Sequence, residues 1–193
     1  MECGNNAALR AKLKELCAKN IADQKRPRKR CGEYTIRKFS KLMLTPEEQN
    51  WLHGFELGLR PEDRMEAAAM HKGGASQAVM DSVKESEDAY RVTGEMDEPL
   101  VLYGKYKAEG LPGRLIWCMA TIHLPPYERE FARVSRKILQ DWTKEYGLLW
   151  NAVAEFNEPA KRWLRWCGAE FGEPLEMGGE KFIRFCIRRK DNV

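Results

Sequence analysis

Between Tyr146 and Gly172 the chain reads Y-G-L-L-W-N-A-V-A-E-F-N-E-P-A-K-R-W-L-R-W-C-G-A-E-F-G. This is the stretch that most restricts how the whole can fold. Leu148 to Ala154 is a short apolar run of strand length, opened by Gly147. Asn157 has the chemistry of a helix N-cap, and Pro159 falls in the first turn, where a missing N–H costs nothing. Ala160, Trp163, Leu164 and Cys167 then recur on one helical face. Gly168 is suited to the left-handed residue that ends a helix. The stretch is a buried strand, a short turn and an amphipathic helix.

The rest of the chain supplies what that unit packs against. Tyr34 to Phe39 reads as a first strand. Thr45-Pro46-Glu47-Glu48 is a capping box that opens a helix through Trp51 and Leu52 to about Phe55. Arg60-Pro61-Glu62-Asp63 opens a second helix, Gly73-Gly74 breaks it, and a third spans Ser76 to Ser86. Three strands follow as a meander: Ala89 to Thr93, Leu100 to Tyr106, and Leu115 to Ile122. Gly104, inside the second of these, marks a bulge or a close backbone approach. Pro125-Pro126 ends the meander, and Tyr127 to Tyr146 reads as a helix with Phe131, Val134, Ile138, Leu139 and Trp142 on its apolar face. A last strand, Phe182 to Ile187, follows the turn at Met177 to Glu180. The order predicts an α/β (α+β) fold, with a mixed, mostly antiparallel sheet flanked by helices on both faces.

The spacing Asn157-x-x-Ala160-x-x-Trp163-Leu164-x-x-x-Gly168 resembles the last conserved motif of the GCN5-related N-acetyltransferase (GNAT) fold, Asn-x-x-Ala-x-x-Leu-Tyr-x-x-x-Gly-Phe. The two agree at Asn157, Ala160 and Gly168. The family's tyrosine, a usual general acid toward the leaving thiolate, is Leu164 here, and its phenylalanine is Ala169. Over residues 34–190 the pattern is most similar to a GNAT-like family of tailed bacteriophages, which includes internal virion proteins of short-tailed phages.

The resemblance implies that the strand before the motif splays from its neighbour and that acetyl-CoA, if bound, lies in the gap. The positions that would meet it are Met119, Ala120, Arg129, Arg133, Asn157 and Ala160. In the family, backbone N–H groups in Arg/Gln-x-x-Gly-x-Gly/Ala cradle the pyrophosphate at a helix start. The matching segment here is P-P-Y-E-R-E-F-A-R-V-S-R, and the chain has no glycine between Gly113 and Gly147. Glu128 and Glu130 satisfy the helix dipole and repel a phosphate at the same place, while Arg129 and Arg133 offset this in part. His123, Glu95 and Glu98 are the candidate bases by position, with His123 the one histidine at a strand end beside the cleft. No metal-ligand spacing occurs.

Charge divides the chain in two. Residues 1–41 hold twelve Lys/Arg against four Asp/Glu, whereas residues 42–193 hold twenty-one against twenty-five. The basic excess therefore belongs to an N-terminal arm, residues 1–33, ahead of a domain over 34–193. Residues 6–24 read as a thin amphipathic helix that needs a partner surface. Lys25, Arg26, Arg28, Lys29 and Arg30 surround a proline without interleaved aromatics. A solvated linker, contact with nucleic acid phosphate, and docking on an acidic protein surface all fit that run. Cys118, Cys167 and Cys186 read as small buried hydrophobes, and Cys3, Cys17 and Cys31 lie in the arm. With no apolar run of membrane length and no signal-peptide pattern, the chain reads as cytosolic or packaged from the cytosol; the resemblance implies a virion, and otherwise the host cytoplasm.

The expectation from these residues, with what the resemblance implies, is a non-catalytic GNAT-like virion component, without cofactor, held by its basic arm in an oligomeric assembly. The partners implied by the resemblance are portal, connector or internal core proteins, and packaged DNA through the arm. Two other readings stand beside it. One is an acetyl-CoA-dependent N-acetyltransferase with a divergent cofactor site. The other is a cytosolic phage effector that binds nucleic acid or a host protein.

Overall fold

Strand β3 (Pro99–Tyr106) is buried along nearly its whole length, which is why P-L-V-L-Y-G-K-Y is apolar on successive residues rather than alternate ones. It is central to a seven-stranded sheet in a computed structural model that describes residues 33–40 and 43–189. The other strands are β1 (Tyr34–Lys38), β2 (Asp88–Gly94), β4 (Arg114–Ala120), β5 (Leu148–Ala154), β6 (Glu170–Met177) and β7 (Glu180–Arg188). Their order is β1-β2-β3-β4-β5-β7-β6. Every neighbouring pair is antiparallel except β4 and β5, which run parallel.

Five α-helices flank the sheet among the described residues: α1 (Pro46–Leu57), α2 (Pro61–Met70), α3 (Gly74–Glu85), α4 (Glu128–Tyr146) and α5 (Glu158–Cys167). On one face α1, α2 and α3 bury Phe55, Leu52 and Val79 against Leu102, with Trp117 and Met119 packed alongside. On the other, α4 sets Phe131 against Tyr103 and Val101, and α4 and α5 together set Leu139 and Leu164 against Leu149, Val153 and Phe185. Successive residues of β4 thus serve opposite faces: Trp117 and Met119 meet α1 and α3, Cys118 and Ala120 meet α4.

Local chemistry fixes most boundaries. Thr45 caps α1 through the Glu48 N–H at 3.2 Å, and the buried Glu48 carboxylate returns to the Thr45 N–H and to the Ser40 N–H, both at 2.8 Å. That one carboxylate ties the helix start to the end of the first strand. Asn157 caps α5 by accepting the Ala160 N–H, and Gly168 ends it in the left-handed region. At Gly104 the close approach is real: an added Cβ would lie 2.6 Å from the Asp88 carbonyl oxygen and 2.8 Å from the Trp117 ring.

Several expectations need correction. Residues 170–177 form a strand that the sequence pattern does not show. This β6 is an edge strand with little burial, carries Pro174, and shifts register between Phe171 and Pro174, so its alternation is lost. The helix expected from Tyr127 starts at Glu128, because Pro125–Tyr127 is a separate 3-10 turn. The third helix starts two residues early, at Gly74. On α4 the position expected for Val134 in the core belongs to Ser135, whose hydroxyl receives the Trp163 indole N–H at 2.9 Å. Cys167 is buried as expected, but Cys118 and Cys186 are only partly so. The arm, with its helix over 6–24, the cluster Lys25 to Arg30, and Cys3, Cys17 and Cys31, lies outside the described residues.

Candidate functional site at the parting of two strands

Strands β4 and β5 pair only at Arg114–Leu149 and Leu115–Trp150. Beyond that point they separate, and a cavity of about 120 Å³ passes between them. The Asn151 side chain spans the start of the gap by donating to the Ile116 carbonyl at 2.8 Å. At the far end the chain closes the gap with its own backbone. Residues 58–60 lie antiparallel to the end of β4: the Ile122 N–H donates to the Gly58 carbonyl at 2.9 Å, and the Arg60 N–H to the Ala120 carbonyl at 3.0 Å.

The side chains of α2 continue that closure. Asp63, buried, accepts the Ala120 N–H at 2.6 Å and the Arg60 guanidinium at 2.8–3.1 Å. Its other oxygen accepts the Asn157 amide at 3.0 Å. The same amide group donates to Glu66, one turn further along α2, at 2.6 Å. Asn157 therefore uses both amide hydrogens on α2 and its carbonyl oxygen on the α5 cap. Burial pushes the Glu66 carboxyl up to about 7; the Asp63 charge adds to that, and hydrogen bonds from Asn157 and the Ala154 N–H, with the Arg60 charge, oppose it. Burial likewise raises the Cys118 thiol, far from a reactive thiolate.

The site residues expected from sequence fall in three places. Met119, Asn157 and Ala160 line the cavity or its rim, as does Leu164 at the position of the family's tyrosine. Ala120 stands at the closed end, with both its backbone groups taken. Arg129 and Arg133 are exposed on the first turns of α4, and Arg133 pairs with Glu130 at 3.3 Å. His123 is exposed beyond β4, and its N–H donates to the Thr121 hydroxyl at 3.2 Å. Glu98 is held by the Tyr127 hydroxyl at 2.7 Å and the Met96 N–H at 2.8 Å. Burial works against its ionisation, but the Tyr127 hydroxyl and the backbone N–H groups of Glu98 and Met96 together keep the carboxyl below its usual range. Sequence reasoning missed Asp63, Glu66 and Asn151. The signal for the first two was present as acidic residues three apart, on the same helix as the buried Ala67.

Solved structures with this architecture are numerous. A GNAT-family acetyltransferase from Bacillus anthracis superposes with a TM-score of 0.54 and 14% identity over 81% of this chain and 96% of its own. The fold is that of the GNAT acetyltransferases. The spermidine N-acetyltransferase of Vibrio cholerae, solved with CoA and spermine, gives 0.55 and 13% identity, covering 80% of this chain and 95% of its own. The ribosomal-protein-S18-alanine N-acetyltransferase of Escherichia coli gives 0.54 and 14%, covering 83% and 99%. No family model matches the sequence, and no curated protein does. At these identities the likeness establishes the fold alone.

A GNAT cofactor needs free backbone donors where β4 leads into α4, and across residues 122–128 this chain has spent them. Among residues 122–128 the N–H groups of Ile122, His123, Leu124, Tyr127 and Glu128 all donate within the protein. The remaining two residues are Pro125 and Pro126, which have none. Glu128 and Glu130 occupy the first turn of α4. The residues present do not fit a pyrophosphate held as that fold holds it.

Proposed function

We propose that this chain is a GNAT-fold structural or interaction protein whose cofactor groove is closed by its own residues. The observation that carries the reading is the closed end of the gap: Gly58, Arg60 and Asp63 satisfy the backbone of Ala120 and Ile122. An incoming ligand must displace a buried charged hydrogen bond to reach them, and removing one partner of such a pair is strongly unfavourable. The resemblance of residue pattern supports a bacteriophage virion as the setting, with portal, connector or internal core proteins as partners. The basic arm over residues 1–33 is then the anchor, to those proteins or to packaged DNA. Deleting residues 1–33 is expected to leave a folded domain that no longer joins its assembly. Unchanged incorporation rejects the anchor.

A second reading, an N-acetyltransferase with a divergent cofactor site, has two observations in its favour. The structures that share the fold are acetyltransferases. Glu66, with a carboxyl that titrates at about 7, borders the gap, and a group titrating near the working pH is suited to proton transfer. This reading requires saturable acetyl-CoA binding and release of free thiol in the presence of an amine.

A further inference from the structure

Helices α4 and α5 carry a charge sign of their own. Together they hold eight Lys/Arg against five Asp/Glu, out of twenty-one and twenty-five over residues 42–193, so the remainder of that range is thirteen against twenty. Arg133 and Lys137 stand exposed one turn apart on α4, and Arg162 and Trp166 stand exposed one turn apart on α5. The Trp163 indole N–H donates to the Ser135 hydroxyl at 2.9 Å and holds the two helices side by side. None of those four exposed residues lines the gap between β4 and β5.

Among the described residues Trp166 is the one aromatic ring that stands exposed, at 54%. Arg136 reaches across from α4 and sets its guanidinium over that ring, 4.7 Å from the centroid. No Asp or Glu among the described residues pairs with Arg136, and its Nε is buried without a hydrogen-bond partner. The guanidinium is therefore committed to one face of the indole. The acid beside the patch, Glu130, is matched to Arg133 at 3.3 Å. Exposed pairs of that kind contribute little, so an incoming anion displaces this one at small cost.

From this juxtaposition we propose that the outer face of α4 and α5 binds single-stranded nucleic acid, its phosphates along Arg133, Lys137 and Arg162 and one base stacked on the face of Trp166 that Arg136 leaves open. Two observations select this partner. The charge of the two helices is complementary to a polyanion and opposite in sign to the rest of residues 42–193. The exposed ring, backed by a guanidinium, is a stacking platform for any base, since every base has a π-face; an acidic protein segment makes no use of it. A duplex keeps its bases stacked on one another and offers this face its phosphates alone. The contact is binding without chemistry. It adds a site on the domain to the basic arm, and it does not depend on whether the gap is closed.

The test is fluorescence anisotropy of the full chain with a labelled oligothymidylate of about twelve nucleotides, its duplex with oligoadenylate, and polyglutamate as a polyanion without bases, each over a range of salt. Trp166→Ala is expected to weaken the single strand about tenfold and to leave the duplex and polyglutamate unchanged. Should Trp166→Ala not fold, Trp166→Leu keeps the apolar bulk and removes the ring face, with the same outcome. The double variant Arg133→Glu with Lys137→Glu is expected to reduce the slope of log affinity against log salt for the single strand by roughly 1.4, the share of two phosphate contacts. Three results overturn the proposal: no saturable binding of the single strand by about 100 μM protein at low salt, the weak end of non-specific phosphate contacts; a single strand bound as tightly by the Trp166 variants as by the native chain, which leaves the arm as the binder; or polyglutamate bound as tightly as the oligothymidylate, which makes the face a dock for acidic protein.

Discussion

Asp63→Ala is the perturbation on which the closed groove stands or falls. In the native protein this carboxylate, 3% exposed, holds Arg60, the Ala120 N–H at 2.6 Å and the Asn157 amide at 3.0 Å. Truncation strands the Arg60 guanidinium, whose side chain is only 18% exposed. Removing one partner of a buried ion pair costs about 3–5 kcal/mol. The orphaned Ala120 N–H adds about 1–3 kcal/mol. Glu66, one turn away and relieved of a neighbouring charge, recovers part of this by turning toward Arg60. The net expectation is a loss of about 4 kcal/mol, a large share of the ~5–15 kcal/mol that keeps a domain folded. With an urea m-value of about 2 kcal/mol/M, the midpoint falls by about 2 M. Asp63→Asn keeps an acceptor for the Ala120 N–H but loses the charge, and is expected to fall between wild type and Asp63→Ala. The assay is urea unfolding followed by tryptophan fluorescence and far-UV circular dichroism together. A loss below about 1 kcal/mol for Asp63→Ala, the size of an ordinary surface change, refutes the claim that this carboxylate holds the gap closed.

Further outcomes follow from the same structure. Glu66 titrates at about 7 in the fold against a usual 4.5, so its contribution is fully present below pH 4.5 and is lost as pH rises through 7. The whole effect is at most about 3 kcal/mol, and Glu66→Gln should remove that slope from urea midpoints measured between pH 5 and 8. Gly104→Ala drives a methyl group against the Asp88 carbonyl and the Trp117 ring; thermal unfolding should show a loss of about 1–3 kcal/mol, as for an overpacked core. Thr45→Ala removes one half of the α1 capping box and should cost about 1 kcal/mol by the same measurement.

What the sequence revealed and what it hid divide along one physical line. Features set by a few adjacent residues were legible. The Thr45–Glu48 box, the Asn157 cap, the left-handed Gly168 and the crowded Gly104 all follow from chemistry within a turn or from a side chain's absence. Edge strand β6 was not legible, because it buries little and Pro174 with the shifted register erases its period. The closure of the gap was hidden for another reason. Acids in R-P-E-D-R-M-E read as favourable charges at a helix N-terminus. Only the fold shows that Asp63 and Glu66 turn inward to an asparagine more than ninety residues away. Asn157 was recognised for its cap, and its second task, holding α2 with both amide hydrogens, is a long-range contact that spacing does not encode. The absence of glycine ahead of α4 was visible in the sequence; that the N–H groups remaining over residues 122–128 are each spent on a named carbonyl or hydroxyl was not.

The most direct test of the closed groove is calorimetric titration of the full chain with acetyl-CoA, with free thiol monitored in parallel. The account predicts no saturable heat and no thiol release below about 1 mM cofactor, since opening the Asp63 contacts costs about 4 kcal/mol and weakens a micromolar site, worth ~8 kcal/mol, to about the millimolar range. Saturable binding in the micromolar range contradicts the account, and with thiol release it makes this protein an acetyltransferase with a cofactor site of its own design.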